Sequence, residues 1–159
     1  MRMKALVVAM AIVASVVTVH PSPTLGCTCT VYPTFAQAFA QSAAVFRGTV
    51  LSISATSDPH FGFPVQVTFA VDAWWKGSQT STVSILTEST DGLCGYSFQV
   101  GVQYLVYAPL FPGGGPLFTH ICWRTHQAWN GDPDLVALGP PLTVATSPWS
   151  WSLAKTLYR

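Results

Sequence analysis

Charge is what this chain has least of. Only 8% of its 159 residues are charged, against about 25% in an ordinary soluble domain, and the cationic ones never gather into a stripe. A nucleic-acid-binding face needs clustered Lys and Arg, so no nucleic-acid partner is expected. Catalytic motifs are missing as well: HExxH, GxSxG, the phosphate loop and the dinucleotide fingerprint do not occur. The six carboxylates are spread out, with Asp58, Asp91 and Asp132 in apparent turns, so none pairs with another as general acid and base. Neither an enzyme nor a cofactor is expected. The chain also lacks the paired CxxC knuckles of a structural zinc site.

What is present begins with a leader. Arg2 and Lys4 precede an almost continuous apolar run from Ala5 to Val19. That run is short for a membrane span, which takes roughly 20 residues, and it suits the core of a secretion signal. Thr24 and Gly26 supply small residues for cleavage after Gly26. The expected division is a signal at 1–26, one domain at 27–141 and a tail at 142–159. Losing Arg2 and Lys4 moves the formal charge from +1 to −1. The mature chain is expected to be secreted and monomeric, with no membrane span. A periplasmic or lipid-anchored form is less favoured, because Leu25 stands one place too close to Cys27 for a lipobox.

Four cysteines in an exported chain imply two disulfides, with three connectivities available. A Cys27–Cys29 bridge would close a strained ring, which leaves two long-range pairings. Each closes a loop of many tens of residues, worth about 4 kcal/mol in the chain-entropy description. In an extended segment Cys27 and Cys29 point to one face, with Thr28 turned outward between them.

Along the mature chain, Thr34 and Gln37 form a capping box for a short helix through Phe35, Ala36, Ala38, Phe39 and Ala40. Ala44–Ile53 is rich in β-branched and aromatic residues and ends in a polar turn over Ser54–His60. Pro64–Lys76 alternates most clearly. Val65, Val67, Phe69, Val71, Ala73 and Trp75 form a core face, and Gln66, Thr68, Ala70, Asp72, Trp74 and Lys76 a mostly wet one. Thr82–Thr87 is a third strand, and Gln103–Leu110 and Pro116–Trp123 a fourth and a fifth, joined through Pro112–Gly115. Asp132, Pro133 and Gly139 punctuate a second helix, with Leu135, Val136 and Leu138 on its buried side. Five strands flanked by helices fit an all-β, OB-type barrel better than a sandwich, which uses about seven.

The histidines His60, His120 and His126 read as surface or satisfied structural groups, with His120 of interest for standing two residues before Cys122. Trp74, Trp75, Trp123 and Trp129 read as packing groups rather than a sugar-stacking platform. Taken together, the motifs match a family. Cys27-Thr28-Cys29, Ala38-Phe39, Trp75-Lys76-Gly77, Leu93-Cys94-Gly95-Tyr96 and His120-Ile121-Cys122 resemble, in order, the N-terminal inhibitory domain of the tissue inhibitors of metalloproteinases. The resemblance runs from Cys27 to about Leu138. It implies a five-stranded netrin-like OB-fold barrel and the pairings Cys27–Cys94 and Cys29–Cys122. It further implies that the amine and carbonyl of Cys27 chelate the catalytic zinc of a metalloprotease. Thr28, Cys29, Thr30, Asp91, Gly92, Leu93, His120 and Ile121 would form the rest of the contact edge. The family's third disulfide has no counterpart: Ala40 stands at one of its positions, and no cysteine follows Cys122. A secreted netrin-like binding module without inhibitory activity is the alternative that the resemblance leaves.

Overall fold

The computed structural model describes residues 27, 29, 32–56, 65–89 and 94–142. Its centre is an antiparallel sheet of five strands: β1 (Ala44–Ala55), β2 (Val65–Lys76), β3 (Thr82–Thr87), β4 (Gln103–Ala108) and β5 (His126–Gln127), in the order β3-β2-β1-β4-β5. Two short helices accompany it, α1 (Phe35–Gln41) and α2 (Pro133–Leu138).

Both helix starts follow from their caps. Thr34 accepts from Gln37 N–H at 3.3 Å while Gln37 Oε1 accepts from Thr34 N–H at 2.9 Å, so two donors of the first turn are satisfied reciprocally. Asp132 caps α2 by accepting from Asp134 N–H at 2.9 Å, with Pro133 in the first turn. The buried side of α2 is narrower than its sequence predicts. Leu135 and Leu138 pack on the sheet, but Val136 is 75% exposed.

The sheet buries both faces near its middle. Phe46, Val50, Val67, Phe69, Trp74, Ile85 and Val106 share one core. On the opposite face Val45, Leu105 and Tyr107 meet Ala38 of α1, with Leu135 and Leu138 of α2 packed against them. Simple alternation along β2 therefore fails at Trp74 and Trp75. Gly48 pairs with Val71 but Arg47 with Ala73, and Phe46 with Trp74 but Val45 with Lys76. Each shift is a β-bulge, and an extra residue in one strand sends the residues after it to the other face. Trp74 is consequently fully buried in the first core, and Trp75 lies against the second.

The expected fifth strand over 116–123 is not a strand. Its first half makes isolated bridges, Leu117 with Leu110 and Phe118 with Leu86, and its second half turns sharply. The strand that pairs with β4 is His126–Gln127. Likewise β4 stops at Ala108, before Pro109, and β1 runs on through Ser54 and Ala55, where a turn was expected. As paired, the five strands form an open sheet with β3 and β5 at its edges. The leader, residues 57–64 and the tail beyond 142 lie outside the described residues.

Candidate functional site

Two loops hang from the end of β3. The first begins at Cys94, whose N–H donates to Glu88 Oε2 at 2.8 Å, and Tyr96 N–H donates to Thr87 Oγ1 at 2.9 Å. Gly95 between them is pressed on the backbone. A Cβ there would stand 1.9 Å from the Glu88 carbonyl oxygen, so no side chain fits. The second loop follows the 117–119 segment. Leu86 N–H donates to Leu117 O at 2.8 Å, and Thr119 N–H donates to Leu86 O at 3.0 Å. The chain then folds over His120, whose carbonyl accepts from Trp123 N–H at 3.0 Å and whose Nδ1 accepts from Cys122 N–H at 3.1 Å. Ile121 N–H donates to Cys94 O at 3.0 Å and joins the two loops.

The N-terminal cysteines are bridged to this pair of loops. Cys27 is bonded to Cys94 with Cα atoms 5.5 Å apart, and Cys29 to Cys122 at 5.3 Å. Spans of 67 and 93 residues are thereby closed at one place. Of the residues named for a contact edge, Cys27, Cys29, His120 and Ile121 are brought near one another by the bridges to Cys94 and Cys122. Thr28, Thr30, Asp91, Gly92 and Leu93 lie outside the described residues.

A buried polar cluster sits behind the second loop. Arg124 donates from Nε and Nη2 to the two oxygens of Asp134, at 2.5 and 2.7 Å, and Nη1 reaches Pro33 O at 3.4 Å. Tyr107 donates its hydroxyl to Asp134 Oδ2 at 3.0 Å. Burial pushes the Asp134 carboxyl upward, but hydrogen bonds from Arg124 and Tyr107 outweigh it and hold the group below its usual range. The pair links α2, β4, the Cys122 loop and the chain just after Cys29. His126 is bonded at both nitrogens, to Arg124 O and Asp132 Oδ2, each at 2.7 Å. It is a structural group, as expected. Burial lowers the His120 pKa, against an opposing pull from Glu88.

Glu88, Arg124 and Asp134 carry no signal in the sequence. Glu88 only ends a strand pattern, and Asp134 looks like an ordinary first-turn carboxylate of α2. Nothing in a single sequence announces that either is turned inward. Among the described residues, no three His, Cys, Asp or Glu side chains gather closely enough to hold a metal ion, and no helix is long and apolar enough to cross a membrane. No family model matches the chain, and no curated protein matches it.

Proposed function

We infer that the mature chain is a secreted metalloproteinase inhibitor on a netrin-like OB barrel, acting through its N-terminal edge. One observation carries the reading: Cys27 and Cys29 are bridged to two loops that are hydrogen-bonded to each other. An edge so held loses little freedom on docking. The α-amino nitrogen and carbonyl oxygen of Cys27 would close a five-membered ring on the zinc of a protease, at the site of its attacking water. The amine binds in its neutral form. Its ordinary pKa of about 7.7–8.0 keeps the cost of deprotonation small near neutrality. Thr28 would enter the pocket beside the metal, flanked by Thr30, the Asp91-Gly92-Leu93 turn, His120 and Ile121. Backbone bonding of Phe118's segment to β3 favours closure of the sheet into that barrel.

The missing third disulfide favours one second reading, a netrin-like binding module that inhibits nothing. Sequencing the N-terminus of the secreted protein and titrating it against a metalloprotease panel separates the two. Inhibition is expected from a chain beginning at Cys27, with a loss of at least about 100-fold when the amine is acetylated. A residue ahead of Cys27, or unchanged inhibition after acetylation, would sink the chelation reading.

A further inference from the structure

His120 belongs to one of the two loops that carry the bridged cysteines and feels a charge that holds the other. Its Nδ1 accepts from Cys122 N–H, two residues on, at 3.1 Å, much as an Asn side chain closes a turn on its own backbone. A backbone N–H can only donate, so this contact exists only while Nδ1 carries no proton. The charge acting on the ring is that of Glu88, just beyond β3, and the two form no ion pair among the described residues. Glu88 is itself in use, since its Oε2 accepts from Cys94 N–H at 2.8 Å. The other neighbours are uncharged. Gln37 and Gln41 of α1 and Trp123 line a cavity of about 290 Å³ together with His120. The Phe118 and Trp123 rings have their centroids 6.1 and 5.7 Å from the imidazole. Arg124, further along the loop, has its charge met by Asp134.

We propose that His120 is an acid-operated switch coupling the two cysteine loops. Neutral, it holds the Cys122 amide; protonated, it lets that amide go and turns to Glu88, where it competes with Cys94 N–H. Burial favours the neutral ring and lowers its pKa from 6.5, more than Glu88 raises it. The held arrangement is therefore present above about pH 6.5 and is lost as the pH falls through the lower folded value. Cys94 and Cys122 are the residues to which Cys27 and Cys29 are bonded. Acid thus loosens the attachment of the N-terminal segment without breaking a covalent bond, whatever the chain binds.

The test is an NMR titration of the ¹⁵N-labelled, oxidised protein from about pH 8 to about pH 4.5, before most carboxylates take up protons. The ring nitrogens of His120 should report a proton on Nε2 at the upper end and a midpoint below 6.5. The Cys122 and Cys94 amide signals should move with that same midpoint. A ring that takes up no proton in this range, or a Cys122 amide that stays still while it does, overturns the switch. His120→Asn puts an oxygen in the place of Nδ1, so its Cys122 amide should not move at all. A step that survives there with the parent's midpoint also overturns the switch, and if the variant does not fold the parent titration decides alone. Glu88→Gln keeps an acceptor for Cys94 N–H but not the charge, and it should lower the His120 midpoint. A midpoint that is unchanged or raised overturns the turn to Glu88.

Discussion

Gly95 is the least replaceable residue described. Its missing Cβ lets the Cys94 segment lie on the Glu88 carbonyl, and flexible side chains cannot relieve a clash with backbone. Gly95→Ala should cost about 3 kcal/mol or more in chemical unfolding and leave Cys27 and Cys94 partly reduced in a thiol titration. Full oxidation with unchanged unfolding would refute that account. Asp134 is nearly as constrained, because removing its charge strands Arg124 and the Tyr107 hydroxyl. Asp134→Asn should lower stability by about 2–3 kcal/mol, less than for a fully buried pair since Arg124 is partly exposed. The same group fixes an acid limit. Its folded pKa is depressed, so its contribution is complete above the unfolded value of about 3.9 and is lost as pH falls through the lower folded one. At the alkaline end, burial pushes Tyr96 up to about 12, with Tyr104 adding to the shift, and pushes Tyr107 higher still. Folded pKa values above the unfolded one mean stability that is present below about pH 10 and lost above it. Tyrosine absorbance should therefore show these two ionising late, together with unfolding. Early ionisation of all five tyrosines in the folded protein would contradict their burial. At the edge itself, Thr28→Gly should weaken protease binding without shifting the unfolding midpoint.

The element that organises the fold is the end of β2. Trp74, Trp75 and Lys76 each hold a different part of the chain. Trp74 O accepts from Leu142 N–H at 2.6 Å, Trp75 Nε1 donates to Gly139 O at 2.9 Å, and Lys76 Nζ donates to Phe39 O at 3.0 Å and to Ala40 O at 3.2 Å. Lys76 thus neutralises the carbonyl end of α1, and Gly77, at φ 118°, makes the turn after it. Trp75→Phe should cost about 1 kcal/mol through the one lost hydrogen bond. Trp74→Ala should cost about 3–5 kcal/mol through an unfilled core. Equal losses for the two would mean that the strand does not bulge as described. Much of this level is legible in the sequence. Thr34, Gln37, Asp132 and Pro133 carry cap chemistry that depends only on near neighbours, and Thr82–Thr87 is bounded by turn residues. The exchange of Trp74 and Trp75 is not legible, because a bulge is set by the partner strand and leaves the local pattern of apolar residues unchanged. For the same reason the two-residue β5 has no periodicity of its own, while Pro116–Trp123 has a strand's composition but is bent over His120.

At the scale of the whole molecule, the two bridges fix the segment of Cys27 and Cys29, which belongs to neither hydrophobic core. Replacing Cys27 and Cys94 by serine should reduce stability by about 2–4 kcal/mol, since the loop closed spans 67 residues, and it should reduce protease affinity with it. Thermal unfolding that does not change would argue against any role for this bridge. From spacing alone the pairing is a choice between two long-range patterns, because cysteines at i and i+2 reach either partner equally well. What decides it lies in the folded loops, where Ile121 lies against Cys94 and sets the order of the two attachment points.

That geometry has a price in biogenesis. Cys27 can reach Cys94 as soon as that residue has been synthesised, but Cys29 meets its proper partner only once Cys122 has followed. Because Cys27 and Cys29 are neighbours, the swapped pairing of Cys27 with Cys122 and Cys29 with Cys94 is a near-degenerate trap on the oxidative pathway. Reoxidation of the denatured, reduced chain should pass through this isomer and be hastened by a thiol–disulfide isomerase, an assistance that its expression host would have to supply.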